Sequence, residues 1–219
     1  MVVRESFENN LQELQERMTE MGELTITSIE KAFLAFKTQD IELALRVMEE
    51  DTVIDDLETE INQLAIWLMV KEQPVARDLR KIIGALKISS AIERIADFAV
   101  NIAKATIKIG NSPSLINLTG LEPMKEISIN MLQKSLQAFI DENISLAKEV
   151  GEMDDQVDDY SDENYKQITS YLSEHPEETN QLVQLLFVNR YIERTADHIT
   201  NIAESAAYLI KGRKYDLNL

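Results

Sequence analysis

Four acidic pairs carry the chemistry this sequence has to offer: Asp51 with Asp55, Glu93 with Asp97, Asp154 with Asp158, and Glu193 with Asp197. On a helix, residues four apart share a face, so each pair presents two carboxylates side by side. Like charges so placed disfavour the helix by roughly 0.2–0.5 kcal/mol per pair, and facing carboxylates add repulsion unless a cation lies between them. A bound metal ion resolves that conflict. Oxygen donors without thiolate or well-placed histidine suit hard or borderline cations such as Mg²⁺, Mn²⁺, Ca²⁺ or iron better than a structural zinc, and the spacing itself does not choose among Fe, Mn, Mg, Zn and Ca. Asn101 and Asn201 lie one further turn along, eight residues after Glu93 and Glu193, placed to act as outer ligands or orienting groups. The competing reading is a solvated acidic face neutralised by neighbouring Arg94, Arg190 and Arg194.

The register of the pairs favours metal. Asp51 and Asp97 are equally distant in sequence from Pro74, and so are Asp55 and Glu93. Asp154 with Asp197, and Asp158 with Glu193, are likewise centred on the His175–Pro176 junction. Two antiparallel helical hairpins that turn at Pro74 and at His175–Pro176 therefore bring four carboxylates level, in two tiers, in each hairpin.

These hairpins belong to an internal repeat. The segment from Ala35 to Val47 matches that from Ala138 to Val150 at an offset of 103, and Asp51 and Asp55 match Asp154 and Asp158 at the same offset. Further on, Glu93 to Ala103 matches Glu193 to Ala203 at an offset of 100, with seven of eleven positions identical. The chain is a duplicated three-helix unit. Apolar or small residues recur with helical period, most clearly at Phe7, Leu11, Leu14, Met18, Met21, Thr25, Ser28, Ala32 and Ala35. That seam implies a helix of roughly 30 residues, about 45 Å long, buried against partners of similar length. Helices are expected over about 4–37, 40–72, 75–109, 121–141, 143–173 and 177–211, with no strand. The expected fold is all-α, a tandem repeat of two antiparallel three-helix bundles over residues 1–111 and 112–219, joined at Gly110-Asn111-Ser112-Pro113.

Composition excludes several classes. The chain of 219 residues has 22 Lys and Arg against 39 Asp and Glu, a net charge of −17 that repels nucleic-acid backbones and favours cations or basic partners. Its longest apolar run, Leu64 to Val70, is far shorter than the ~20 residues of a membrane span, and no signal peptide opens the sequence, so a soluble, cytoplasmic protein is expected. Zero cysteine excludes disulfides and thiolate chemistry, and six glycines contain no phosphate-cradling loop. Met18, Met21, Met124, Met131 and Trp67 are expected in the core, His198 in packing or a local hydrogen bond, and His175 in the interhelix turn.

The tandem organisation, the segment Gln73-Pro74-Val75-Ala76-Arg77-Asp78-Leu79-Arg80, and the blocks from Ile92 to Asp97 and from Ile192 to Asp197 resemble the PhoU family, regulators accessory to bacterial phosphate-specific transport. The resemblance covers nearly the whole chain. It implies metal clusters at Asp51, Asp55, Glu93, Asp97, Asp154, Asp158, Glu193 and Asp197, with the metal varying between members. It also implies a non-enzymatic negative regulator of phosphate uptake and phosphate-starvation signalling, which contacts the transporter's ATPase subunit and a membrane sensor histidine kinase. A homodimer is expected from the long amphipathic faces and the resemblance, with no direct nucleic-acid contact and membrane association only through partners. Two alternatives from other classes are a metal-dependent all-helical phosphohydrolase and a metal-free helical adaptor. A ferritin-like di-iron site is disfavoured because no Glu-x-x-His motif occurs.

Overall fold

The computed structural model describes residues 2–110, 112, 115 and 118–212, and among them six long helices and no strand occur. They are α1 (Val2–Thr38), α2 (Ile41–Glu72), α3 (Ala76–Ile109), α4 (Leu121–Ile140), α5 (Ile144–Glu174) and α6 (Thr179–Lys211), with a short 3₁₀ turn at Pro176–Glu178 before α6. Helices α1 to α3 form one three-helix bundle and α4 to α6 the other. Asn111 and Pro113 of the expected junction lie outside the described residues. No helix among the described residues is long and apolar enough to cross a membrane.

Local chemistry explains the boundaries. Asp40 caps α2 by accepting from the Leu43 amide at 2.9 Å, and Asn143, its counterpart 103 residues on, accepts from Ser145 at 3.0 Å and Leu146 at 3.4 Å. These bonds satisfy amide groups that have no partner within the helix. The residues just before the caps, Gln39 (φ 55°) and Glu142 (φ 52°), occupy the left-handed region and turn the chain back. Gln73 at the end of α2 does the same before Pro74, which cannot continue the helix's hydrogen bonding.

Packing follows the α1 seam. Leu14, Met18, Met21, Thr25, Ser28, Ala32 and Ala35 are all buried, while Phe7 and Leu11 are half-buried at its start. Met124 and Met131 on α4 are also buried, so all four methionines sit in the core. Trp67 departs from expectation, being 40 % exposed, with Lys71 Nζ 4.1 Å from its ring centroid. Among the described residues, helix α2 packs chiefly against α1 and α3, which take the face carrying Ala65 and Leu68; Trp67 points to the opposite side.

The bundles join along α3 and α6, the most extensive helix pair in the molecule. Phe98 and His198, equivalent in the repeat, meet each other with ring centroids 5.5 Å apart, and Lys87 lies over the Tyr208 ring. As position advances along α3 its partner recedes along α6, so the helices cross antiparallel and the repeats are related by a pseudo-twofold axis near Phe98 and His198. His198 is half-buried there, as a packing residue, and burial pushes its pKa down with help from Arg194 and Arg94.

Candidate metal centres

Helices α2 and α3 turn back at Pro74 and bring the first quartet onto one face. Asp51 is half-buried and its pKa is pushed up to about 6, first by burial, then by the charges of Asp55 and Asp97. Lys104 opposes the shift. Glu93 is raised by burial and by Asp97, with further contributions from Glu58 and Asp55. The electrostatic partners are those the hairpin register demands. Arg94 supplies local countercharge, with Nη1 2.9 Å from Asp97 Oδ2 and Nε 3.4 Å from Glu93 Oε2.

The second quartet repeats this on α5 and α6 with deeper burial. Asp154 is 5 % exposed, and its pKa is pushed up to about 7 by burial first and then by Asp158 and Asp197. Its Oδ1 is buried and has no hydrogen-bond partner. Asp158 is raised by burial and by the Glu193 and Asp197 charges. Arg190 pairs with Glu193, which also accepts from Ser161 Oγ at 3.1 Å. The arginine on the other side, Arg194, stands over the Phe98 ring instead.

The donor chemistry fits a hard or borderline divalent cation: oxygen ligands only, mutual repulsion that raises carboxylate pKa values, and an orphaned buried oxygen on Asp154. The eight acids share their expected faces without converging as closely as a formed coordination sphere. Among the described residues, the three-residue group whose ligating atoms all lie within 4.8 Å is instead His175, Glu177 and Glu178, at the turn into α6. Aspartate side chains are short and packed helix axes stand about 8–10 Å apart, so tiers matched in height still leave oxygens separated across the groove. Asn201 donates Nδ2 to the Asp197 carbonyl at 2.9 Å, within its own helix. Asn101 is half-buried one turn beyond Asp97.

A chain of buried polar groups behind the second quartet escaped the sequence reading. The Gly120 amide donates to Asn164 Oδ1 at 2.7 Å, Asn164 Nδ2 donates to Asn189 Oδ1 at 3.0 Å, and Asn189 Nδ2 donates to Ser161 Oγ at 2.9 Å. Ser161 Oγ then donates to Glu193, so the connection before α4 is tied to a quartet carboxylate. Polar residues at seam positions of α5 and α6 were the available signal. In the first repeat, Ile61 and Ser89 stand where Asn164 and Asn189 do, and the chain is absent.

Comparison with known proteins agrees with this architecture. The family model described as PhoU domain matches twice, over residues 18–106 and 121–206. The phosphate-specific transport system accessory protein PhoU homolog of Clostridium acetobutylicum is 35% identical over 218 residues, 99% of this chain and 100% of that relative. The corresponding homolog of Aquifex aeolicus is 38% identical over 202 residues, 92% of this chain and 91% of the relative. The crystal structure of PhoU from Pseudomonas aeruginosa superposes with a TM-score of 0.88 at 29% identity, over 94% of this chain and 100% of that one. The chain belongs to the PhoU family.

Proposed function

We propose that this member of the PhoU family is an accessory regulator of phosphate-specific transport that damps uptake and phosphate-starvation signalling when phosphate is plentiful. It acts from the cytoplasm, as a homodimer, through contacts with the transporter's ATPase subunit and a membrane sensor histidine kinase. The observation that carries the reading is the double family match, which spans both quartet-bearing repeats. The role is non-enzymatic. In support, Arg94 and Arg190 beside the quartets are already paired with Asp97 and Glu193.

In this reading Asp51, Asp55, Glu93 and Asp97 hold one metal centre, and Asp154, Asp158, Glu193 and Asp197 a second. A bound divalent cation supplies positive charge that ties α2 to α3 and α5 to α6. The carboxylates hold it, Arg94 and Arg190 limit the excess negative charge, and Ser161 orients Glu193.

The test is elemental analysis of untagged protein beside the variant with Asp51, Asp55, Glu93 and Asp97 all changed to Ala, together with phosphate uptake by cells carrying each. Metal content is expected to fall by about half, in keeping with one centre per repeat. Uptake in phosphate-rich medium is expected to rise towards that of cells lacking the protein. Equal metal in the two proteins would remove the metal assignment, and unchanged uptake in cells lacking the protein altogether would remove the regulatory one.

A further inference from the structure

The α1–α2 groove of the first bundle belongs to neither metal centre. Asp51 and Asp55 couple to residues on α3, whereas Glu50, Val53 and Ile54 on α2 meet α1 around a cavity of 270 Å³. Leu24, Thr27, Ser28 and Lys31 complete its wall, with Lys31 Nζ 2.5 Å from Glu50 Oε2 across the groove.

Ser28 is the unusual member of the lining. It is 9 % exposed, and its hydroxyl has no hydrogen-bond partner. Its neighbours Thr25 and Thr27 donate at 2.9 Å to the carbonyls of Met21 and Glu23, the ordinary outlet for a helical hydroxyl. A buried hydroxyl without a partner is unfavourable, and a ligand with a matching polar atom would relieve it. The second repeat lacks this feature: the residue 103 positions on is Met131, fully buried, with a longer side chain to fill the space.

Val53 also borders a second hollow of 570 Å³ farther along the same groove. There Glu13, Glu16, Glu20, Asp56 and Glu60 face a single cation, Arg17, which pairs with Glu13 and Glu60. An apolar slot with one unanswered hydroxyl is thus continuous with an acidic trough. Glu20 and Ser28 are eight residues apart, roughly 12 Å along the helix, about two turns of a helix laid alongside.

We propose that this groove docks a basic amphipathic helix of a partner protein. An anchor residue with an apolar body and one polar atom, tyrosine or tryptophan, enters the slot and satisfies Ser28, while lysines and arginines lie over the trough. Charge complementarity selects a basic partner, and the slot fixes its register.

A double-mutant cycle separates the slot from the charge attraction that any cationic peptide feels. The probes are two helical peptides of about 18 residues, five turns of alanine and lysine, one with a central tyrosine and the other with alanine there. Fluorescence anisotropy is expected to show the tyrosine peptide binding about tenfold tighter than the alanine peptide. Ser28→Met, which copies the second repeat, is expected to abolish that ratio while leaving the attraction of the trough. An equal ratio in the two proteins, or no preference for tyrosine in the parent, would overturn the proposal. Methyl NMR of the unmodified protein gives an independent test should Ser28→Met misfold. Shifts at Leu24, Val53 and Ile54 support the slot; shifts equally large at Ile127 and Val157 in the second repeat refute it.

Discussion

In the first bundle Asp51 has Lys104 within electrostatic reach, whereas in the second bundle the position of Lys104 is occupied by Glu204. Asp51 is half-buried with a pKa near 6; Asp154, almost fully buried with an orphaned oxygen, is near 7. The duplicated acids are thus equivalent in register and unequal in stress. The cores differ in a complementary way. The second bundle backs its quartet with Ser161, Asn189 and Asn164, while the first has apolar Ile61 there and leaves its outer groove open at Ser28. The repeat preserves where the carboxylates stand, and the residues around them decide what each site demands of a ligand.

The sharpest way to break this contrast is to give the second core the first core's residue. Asn164→Ile, which copies Ile61, leaves the Gly120 amide and Asn189 without their partner and is expected to lower unfolding free energy by about 3 kcal/mol in urea. Adding Asn189→Ser, which copies Ser89, should recover part of the loss, since one orphaned group is then removed. Losses that simply add would mean the two asparagines act independently.

Gly84 tests a contact between the bundles, that of α3 with the Phe139 ring of α4. A Cβ there would stand 2.8 Å from Phe139 Cε2, and Phe139 is a buried ring with little room to move. Gly84→Val should therefore destabilise the protein by about 2 kcal/mol, read as a lower thermal midpoint. An unchanged midpoint would mean the seam between bundles yields easily.

The quartets differ in pH dependence. In the folded protein Asp154 keeps its proton up to about pH 7, against an ordinary value of 3.8, so between those values the folded state binds more protons than the unfolded chain. Stability contributed by that proton is present at low pH and falls as pH rises through this window. For Asp51 the decline ends near pH 6. In chelator-treated protein, Asp154→Asn should flatten the urea-stability profile between pH 4 and 7 and add about 1–2 kcal/mol at pH 8. Asp51→Asn should do less, and over the narrower window. Equal profiles for both variants would erase the inequality of the sites.

The smallest effect concerns the matched turns. Gln39 holds the Gly110 carbonyl at 2.5 Å and the Ser112 amide at 2.9 Å, while its counterpart Glu142 pairs with Arg77 and Lys81 at the start of α3. Gln39→Ala should lower stability by about 1 kcal/mol and speed hydrogen exchange at the Ser112 amide.

Much of this molecule was legible in its sequence because the relevant rules are local. The helical seam of α1 and the stop at Pro74 involve residues within a few positions of one another. The quartets were legible too, because hairpin symmetry turns sequence distance from a turn into height along a helix. Trp67 was placed wrongly for the converse reason. It lies within the longest apolar run, but which side of α2 is covered depends on where α1 and α3 stand.

The sequence by itself thus determined the six helices, the duplication and which of the paired carboxylates face one another across each hairpin. Only tertiary structure decided that Lys104 comes near Asp51, that Phe98 meets His198 across the pseudo-twofold axis, and that Ser28 opens into a slot where Met131 fills one. Those outcomes depend on the rotation and separation of whole helices, which are set by the summed packing of many side chains and are not encoded in the spacing of any few.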